Sequence, residues 1–241
     1  MTWRRIGRRV AHALVAMAPN ALKLPLYRHL FGFKIGRDVR IGMSLLDVDI
    51  LELADGARIG HCNLMLRTRR VALGAGAEIG FCNIVRGGDE VSLGSFATVL
   101  RFNVLNSIPD NDSAGPTDPR LVLGDGAYVV SGHRLDFTDR IVVGKNVIVA
   151  GRNSSLWTHN RQATRPIEIG DFCYLGSEVR VAPGASLGEW SILAMGAVLS
   201  GHADSRTVHG GVPAKPLRVI NDEDEKILVK KTRKNIPENA Y

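Results

Sequence analysis

The sequence predicts an all-β protein: a single parallel β-helix of hexapeptide repeats, with an N-terminal amphipathic helix and a short C-terminal helix. The first observation is an aliphatic residue at every sixth position, each followed by Gly, Ala or Ser: Ile169, Leu175, Val181, Leu187, Leu193 and Leu199. An α-helix repeats about every 3.6 residues and a strand about every 2, so neither explains this period. The second observation is a recurring unit of aliphatic, any residue, aliphatic and usually glycine, with third residues at Ile35, Leu53, Leu73, Leu93, Leu123, Val143 and Ile169.

Each hexad is interpreted as one side of a triangular coil, with its aliphatic side chain pointing to the axis. Glycine after the aliphatic residue permits a bend that a side chain would obstruct. The fifth position must also be small, and it holds Cys173, Val179, Ala185, Ser191 and Ala197. Because one coil cannot bury its apolar face alone, stacked coils are needed to form a core. The alternative is an ordinary sheet protein with accidental spacing.

The chain divides into three parts. Residues 1–31 form a basic, helical segment, and residues 32–220 form the β-helix domain. Two stretches interrupt the domain's rhythm, at 106–120 and at 154–166, and we expect them to be loops that carry function. Residues 221–241 begin acidic and end basic, which favours a C-terminal helix because this order complements the helix dipole.

The positive charge is concentrated at the N-terminus. Residues 1–40 hold nine Lys or Arg and one Asp, whereas the remaining 201 residues hold 22 basic and 23 acidic side chains. A neutral body argues against a nucleic-acid partner. A basic amphipathic segment at 1–31 suits an anionic membrane surface. The alternative is a terminal helix packed on a neighbouring subunit.

The three cysteines, Cys62, Cys82 and Cys173, are predicted to be small buried side chains. Their odd number argues against a disulfide framework and favours a reducing compartment. No apolar run is long enough for a membrane-spanning helix. We therefore expect a cytoplasmic protein held peripherally at the inner face of the cell membrane.

These hexads, with "THN" before "PIEIGDFCYLGS", "AMGAVLSG" and "GGVPAKPLR", make the chain resemble the left-handed β-helix, hexapeptide-repeat acyltransferases. Within that family it is most similar to sugar O-acetyltransferases of the galactoside, maltose and surface-polysaccharide types. The resemblance implies the left-handed coil, a homotrimer with active sites between neighbouring subunits, and acetyl-CoA as acyl donor. It also implies a sugar or glycolipid acceptor.

The resemblance also implies roles for individual residues. His159 in "WTHN" matches the family's catalytic histidine. Matches to coenzyme-binding positions are Tyr174, Ser177, Met195, Ser200, Gly201, Lys215 and Arg218. Tyr174 stands where these enzymes commonly have Trp, and Met195 where they commonly have Ala.

Direct transfer of an acetyl group from a thioester to a hydroxyl needs a base, and histidine suits that role at neutral pH. His159 is the predicted base, and no metal is required. Four other residues could bind the acceptor or orient an imidazole, with a turn or surface role as the alternative: His133, Asp136, Asn153 and Asn160.

Three other functions remain open. A γ-type carbonic anhydrase would need three zinc-binding histidines, usually with a His-x4-His pair, and the sequence has no such pair. An N-acyltransferase of an amino sugar would use the same base chemistry. A catalytically silent β-helix could scaffold a membrane assembly through residues 1–31.

Overall fold

The computed structural model describes residues 3–108 and 116–229, with side chains described from Gly7 onward. It confirms a left-handed parallel β-helix of about eight coils with three helices. The helices are α1 (Trp3–Met17), α2 (Asn20–Phe31) and α3 (Asp222–Leu228). Residues 109–115 and 230–241, which include parts of the predicted loop and of the C-terminal tail, lie outside the described residues.

The strands, numbered in chain order, form three sheets; eight coils each contribute one strand to every sheet, and three further strands follow the last of these coils. The first sheet contains β1 (Lys34–Ile35), β4 (Ile50–Leu53), β7 (Arg70–Leu73), β10 (Glu90–Leu93), β13 (Arg120–Leu123), β16 (Ile141–Val143), β19 (Ile167–Ile169), β22 (Ser186–Leu187) and β25 (His202–Ala203). The second contains β2 (Arg40–Ile41), β5 (Arg58–Ile59), β8 (Glu78–Phe81), β11 (Thr98–Arg101), β14 (Tyr128–Ser131), β17 (Ile148–Val149), β20 (Tyr174–Leu175), β23 (Ile192–Leu193), β26 (Thr207–Gly210) and β27 (Lys215–Val219). The third contains β3 (Leu45–Asp47), β6 (Leu64–Leu66), β9 (Ile84–Arg86), β12 (Val104–Asn106), β15 (Arg134–Asp136), β18 (Ser155–Trp157), β21 (Arg180–Val181) and β24 (Val198–Leu199).

All described strand pairs are parallel except β26 with β27, which is antiparallel. Three corners separate the sheets. The first corner follows each strand of the first sheet, the second corner follows each strand of the second sheet, and the third corner follows each strand of the third sheet. Because the register repeats coil after coil, residues at one corner form a column along the axis.

The predicted hexad series lies in the interior of the coil. Its six aliphatic side chains are at most 3% exposed: Ile169, Leu175, Val181, Leu187, Leu193 and Leu199. The five small residues at the predicted fifth positions are also buried. Burying each large aliphatic side chain contributes about 1.5–3 kcal/mol, so the column is the main source of stability.

Glycine at the first corner allows successive coils to stack closely. A Cβ placed on Gly144 would lie 2.5 Å from Asp171 Oδ1 and 2.7 Å from the Asp171 backbone nitrogen. No side chain fits in that space, so the glycine that ends the repeat unit is required by the coil above it.

The N-terminal segment forms two helices, where its sequence predicts one helical segment. Pro19 stands at the N-cap of α2 and separates it from α1. The second helix closes the open end of the β-helix. Lys23 is buried, and its Nζ donates to the carbonyl oxygens of Ile41 and Gly42 at 3.0 Å each. Tyr27 is fully buried above the same coil.

The apolar stripe of α1 faces outward, away from the core. Val10, Leu14 and Met17 are 53%, 65% and 75% exposed, whereas His12 and Val15 on the opposite face are buried. The same arrangement occurs in α2, where the exposed apolar side chains are Leu22, Leu26 and Leu30. The N-terminal helices therefore present apolar side chains to the surroundings.

The C-terminal helix begins as the acidic start of the tail predicts. Asn221 caps α3, since its side chain accepts from the Asp224 backbone nitrogen while the Asp224 carboxylate accepts from the Asn221 nitrogen. Four acidic residues occupy its first turn, where they favour the positive end of the helix dipole.

Only one of the three cysteines is buried. Cys173 lies in the core, and burial raises the pKa of its thiol to about 12. Cys62 is exposed and Cys82 is partly exposed, so the expectation of burial was wrong for these two. Both have positive φ angles, 60° and 54°, because they occupy the second corner and not a hexad's inward position.

Candidate active site

An imidazole and a carboxylate meet at the third corner. Asp136 ends β15, and His159 follows β18 on the next coil. The His159 Nδ1 lies 3.1 Å from Asp136 Oδ1. The Asp136 side chain is 6% exposed and the His159 side chain is 21% exposed. A buried carboxylate therefore holds an imidazole that remains accessible from outside.

Neighbouring side chains fix the Asp136 carboxylate. Thr138 Oγ1 donates to Oδ1 at 2.8 Å, and Asn106 Nδ2, one coil earlier, donates to Oδ2 at 3.4 Å. Arg86 Nε in turn donates to Asn106 Oδ1 at 2.8 Å. Arg86, Asn106 and Asp136 share one register position on three successive strands of the third sheet. The ladder of the sheet thus supports the orientation of the imidazole.

The segment that carries His159 is a tight excursion from the coil. Ser155–Trp157 forms a strand, so the excursion occupies only the later part of the predicted loop at 154–166. Thr158 anchors its start, donating to the Asp136 carbonyl oxygen from its nitrogen at 3.1 Å and from its hydroxyl at 2.8 Å. Asn160 closes the turn, since its Oδ1 accepts from the backbone nitrogens of Gln162 and Ala163.

This geometry selects one tautomer of His159. An ionised carboxylate only accepts hydrogen bonds, so the hydrogen of the neutral imidazole lies on Nδ1. The lone pair of Nε2 is then free to accept a proton from a substrate hydroxyl. The arrangement can act as an oriented general base.

The structure does not bring His133 or Asn153 to this pair. Both lie at the second corner, on the other side of the third sheet. Asn153 is exposed, and its carbonyl oxygen accepts from Arg180. His133 is 1% exposed, and its Nδ1 accepts from the Ser154 backbone nitrogen at 3.1 Å. Burial lowers the pKa of His133 to about 4.

His133 belongs to an internal polar ladder. Asn63 Oδ1 accepts from the Asn83 nitrogen, Asn83 Oδ1 accepts from the Asn103 nitrogen, and Asn103 Oδ1 accepts from the His133 nitrogen. All four side chains are buried, and each satisfies the backbone of the next coil. His133 therefore occupies the place of a fourth asparagine in this buried ladder.

The predicted coenzyme residues lie at two different corners. Ser200 and Gly201 follow β24 at the third corner, on the same side of the coil as His159. Ser177 follows β20 and Met195 follows β23, which puts both at the second corner. Ser200 and Gly201 are exposed, and Met195 is 75% exposed. Within one chain these residues do not line one groove.

The remaining predicted coenzyme residues lie on the second sheet. Tyr174 is in β20 and packs against a small cluster formed by Val208, Ile220 and Leu228. Lys215 and Arg218 are exposed in β27. Arg218 forms a two-pronged ion pair with Asp224 that raises the pKa of the Arg218 guanidinium and lowers that of the Asp224 carboxyl. Arg218 thus has a carboxylate partner within its own chain.

Sequence reasoning missed Thr138, Asn106 and Arg86. Asn106 lies next to Asp136 on the neighbouring strand, and Arg86 lies next to Asn106. Arg86 and Asn106 are 20 residues apart, the usual length of a coil, but the loop at 106–120 makes the spacing from Asn106 to Asp136 30 residues and so hides the relation in the sequence. Thr138 could have been noticed as a hydroxyl two residues after the carboxylate, at a turn.

Across residues 3–108 and 116–229, the structure shows no group of three or more His, Cys, Asp or Glu side chains that could hold a metal ion. In the same part of the chain, no helix is long and apolar enough to cross a membrane.

Comparisons with known proteins give consistent relatives, although no family model matches the chain. Galactoside O-acetyltransferase of Escherichia coli is 28% identical over 101 residues, covering 40% of this chain and 50% of that protein. A Schizosaccharomyces pombe protein with an acetyltransferase name is 41% identical over 133 residues, covering 47% of this chain and 64% of that protein. The chain thus spans about half to two thirds of the length of the curated relatives it matches.

Solved structures share the fold. A UDP-N-acetylglucosamine acyltransferase from Bacteroides fragilis superposes with a TM-score of 0.58 at 14% identity, covering 77% of this chain and 70% of that one. The polySia specific acetyltransferase NeuO superposes with a TM-score of 0.52 at 15% identity, covering 78% of this chain and 86% of that one. The chain is therefore similar in fold to these acyltransferases, and part of its sequence is similar to proteins that carry an acetyltransferase name.

Proposed function

We propose that this protein transfers an acetyl group from acetyl-CoA to a sugar hydroxyl, with His159 as the general base. The observation that carries the proposal is the His159–Asp136 pair, because an accessible imidazole held by a buried carboxylate is the machinery that such a transfer requires. The acetyltransferase names of the curated relatives support the same chemistry. The proposed setting is surface-polysaccharide or lipid-linked glycan synthesis.

The proposed reaction is a direct transfer. The acceptor hydroxyl gives its proton to His159 Nε2 as its oxygen attacks the thioester carbonyl carbon. The carbon–sulfur bond then breaks, and the protonated imidazole returns the proton to the departing thiolate. Asp136 stabilises the imidazolium between these steps. No covalent enzyme intermediate is needed, because the thioester is already activated.

The proposed assembly is a homotrimer. Ser200 and Gly201 share the third corner with His159, whereas Ser177 and Met195 lie at the second corner. If the second corner of one copy faces the third corner of its neighbour, both sets border one groove. Acetyl-CoA would lie in that groove, with Lys215 near its phosphates.

The His159→Ala variant tests the proposed base. Coenzyme release with acetyl-CoA and a panel of sugars, amino sugars and glycolipids should fall about 10²–10⁴-fold in kcat. Acetyl-CoA affinity and the unfolding midpoint should stay unchanged. His61→Ala is the matched control, since His61 is exposed on an early coil. Turnover retained in His159→Ala would contradict the assignment, and transfer confined to amino sugars would make the enzyme an N-acyltransferase.

The proposed location is the cytoplasmic face of a membrane, reached through the N-terminal helices. Leu14 and Met17 of α1 are largely exposed, and Arg8 and Arg9 lie on the same helix. Exposed apolar side chains on a helix suit a bilayer surface, while Arg8 and Arg9 pair with Asp49 and Asp47 of the same chain. Leu22 and Leu30 of α2 add further exposed apolar surface.

Substitution of exposed residues tests this location without uncovering the core. The double variant Leu14→Glu, Met17→Glu should abolish sedimentation with vesicles that contain anionic lipid, because both side chains would have to carry charge into the interface. The control is Val229→Glu, at a residue after α3 that is 50% exposed. Equal vesicle binding by the double variant and the wild type would refute membrane contact through α1.

A further inference from the structure

A groove of about 640 Å³ runs along the third corner, on the N-terminal side of the coil that carries His159. It extends from the coil of β6 to the coil of β15, and its lining includes Arg9, Arg67, Arg86, Asp89, Ile108 and Thr138. The groove is the space that an acceptor would occupy if its hydroxyl reached His159 from the N-terminal side of the coil.

The groove is connected to the imidazole by hydrogen bonds. Thr138 lines the groove, and its hydroxyl donates to the same Asp136 oxygen that holds His159. Arg86 lines it as well and reaches Asp136 through Asn106. A ligand in this groove therefore lies against side chains that contact or support the catalytic pair.

Arginine dominates the charge of the groove. Arg9 is paired with Asp47 at 2.6 Å, and Asp89, the carboxylate among the described lining residues, lies 3.6 Å from Arg69. In the described part of the chain, no ion pair within 4.0 Å involves Arg67, and Arg86 uses its Nε on the neutral Asn106. Among the residues that the structure describes, neither the Arg67 nor the Arg86 guanidinium group therefore has a carboxylate partner within 4.0 Å.

We propose that the acceptor is an anionic sugar, whose carboxylate or phosphate binds Arg67 and Arg86 while its hydroxyl reaches His159. Guanidinium groups bind both anions through paired N–H donors, so the charges select an anion and leave its kind open. The apolar side chain of Ile108 offers a surface for the sugar ring. This inference rests on the proposed acetyl transfer and narrows its substrate class.

Matched acceptors test the charge requirement. Glucuronic acid is compared with its methyl ester, and a hexose phosphate with the parent hexose, by coenzyme release from acetyl-CoA. The charged member of at least one pair should have the lower KM, and the pair that shows the difference identifies carboxylate or phosphate. The Arg67→Gln variant should raise that KM about 10-fold or more, since it removes the charge-assisted hydrogen bonds to the anion.

The Arg67 variants distinguish weaker binding of the acceptor from a slower chemical step or weaker binding of acetyl-CoA. Arg67→Gln should leave kcat and the KM for acetyl-CoA unchanged, and Arg67→Lys should restore part of the loss. Arg101→Gln, at an exposed arginine of β11 on the second sheet, should change nothing. Transfer to neutral and charged acceptors with equal KM, insensitive to Arg67→Gln, would overturn the inference and leave acetyl transfer standing. Absence of transfer from acetyl-CoA to every acceptor would overturn both.

Discussion

At the scale of single residues, the site depends on which nitrogen of His159 carries the hydrogen. Asp136 Oδ1 lies 3.1 Å from Nδ1 and receives a second hydrogen bond from Thr138. Thr138 therefore holds the carboxylate independently of His159. With its hydrogen on Nδ1, the imidazole has Nε2 as the nitrogen that can accept a proton. His159 alone would be an ordinary loop histidine, and the carboxylate one coil earlier is what suits it to the proposed role of base.

Replacing the carboxylate by an amide tests this orientation. In Asp136→Asn the amide nitrogen can donate to Nδ1, which places the imidazole hydrogen on Nε2 and removes the base. We expect kcat to fall about 10²–10⁴-fold, with little change in the KM for acetyl-CoA. Asn106→Ala, which removes a hydrogen bond to the other carboxylate oxygen, should cause a smaller loss. Wild-type kcat in Asp136→Asn would show that the pair has no catalytic role.

His133 makes stability depend on pH. Burial lowers its pKa to about 4 in the folded protein, from 6.5, so the unfolded chain binds the proton more tightly. Stability should therefore be complete above pH 6.5 and should fall as the pH drops from 6.5 towards 4, by up to about 3 kcal/mol. His12, buried in α1 with a pKa also lowered to about 4, adds a similar dependence.

The His133→Asn variant isolates this effect. An asparagine there can accept from Ser154, as Asn63, Asn83 and Asn103 do from the coils above them. Urea unfolding between pH 4 and pH 7 should show a markedly shallower pH dependence in the variant, because one titrating group is removed. An unchanged slope would show that His133 is not the buried titrating group.

At the scale of elements, the corners decide how closely the coils stack. Gly144 and Gly201 make a matched pair, since a Cβ on Gly144 would meet Asp171 at 2.5 Å whereas a Cβ on Gly201 would meet nothing within 4 Å. Gly144→Ala should lower the free energy of unfolding by about 1–3 kcal/mol, because the coil above must shift. Gly201→Ala should change it by less than about 0.5 kcal/mol in urea unfolding. Equal losses of unfolding free energy in the two variants would mean that the distance between stacked coils does not determine which residues fit at the corner.

The strands and helices could be predicted where a repeating pattern of neighbouring residues in the sequence defines them. The hexad from Ile169 to Leu199 fixes both the inward face and the corner, because the same six-residue step repeats without interruption. The N-terminal segment was less predictable, since its apolar stripe gave no sign that Pro19 divides it into two helices. Cys62 and Cys82 were misplaced because proximity to a repeat glycine does not distinguish an inward position from a corner.

At the scale of the whole molecule, the site depends on register across coils, which a single sequence hides wherever a loop is inserted. The sequence singles out His159 and, among four residues that could bind the acceptor or orient an imidazole, Asp136, but it does not show which of the four is the neighbour of His159. The structure pairs His159 with Asp136 and leaves His133 in the asparagine ladder. Which residues become neighbours on adjacent coils depends on the number of residues in each coil, and a local sequence pattern does not show that number where a loop is inserted.

The division of the predicted coenzyme residues between two corners leads to a prediction about assembly. If neighbouring copies complete the groove, the protein should behave in solution as a trimer of the 26.2 kDa chain. Light scattering measures this mass directly. A monomer with full acetyl-CoA affinity would contradict a shared groove, because Ser177 and Ser200 lie at different corners of one chain.

The most direct test of the central claim is a double-mutant cycle on His159 and Asp136, read as kcat for coenzyme release. If the two side chains act as one unit, Asp136→Asn should cost little more once His159 is alanine. The double variant should therefore be about as slow as His159→Ala alone. Independent losses that multiply, or turnover that survives in His159→Ala, would contradict it.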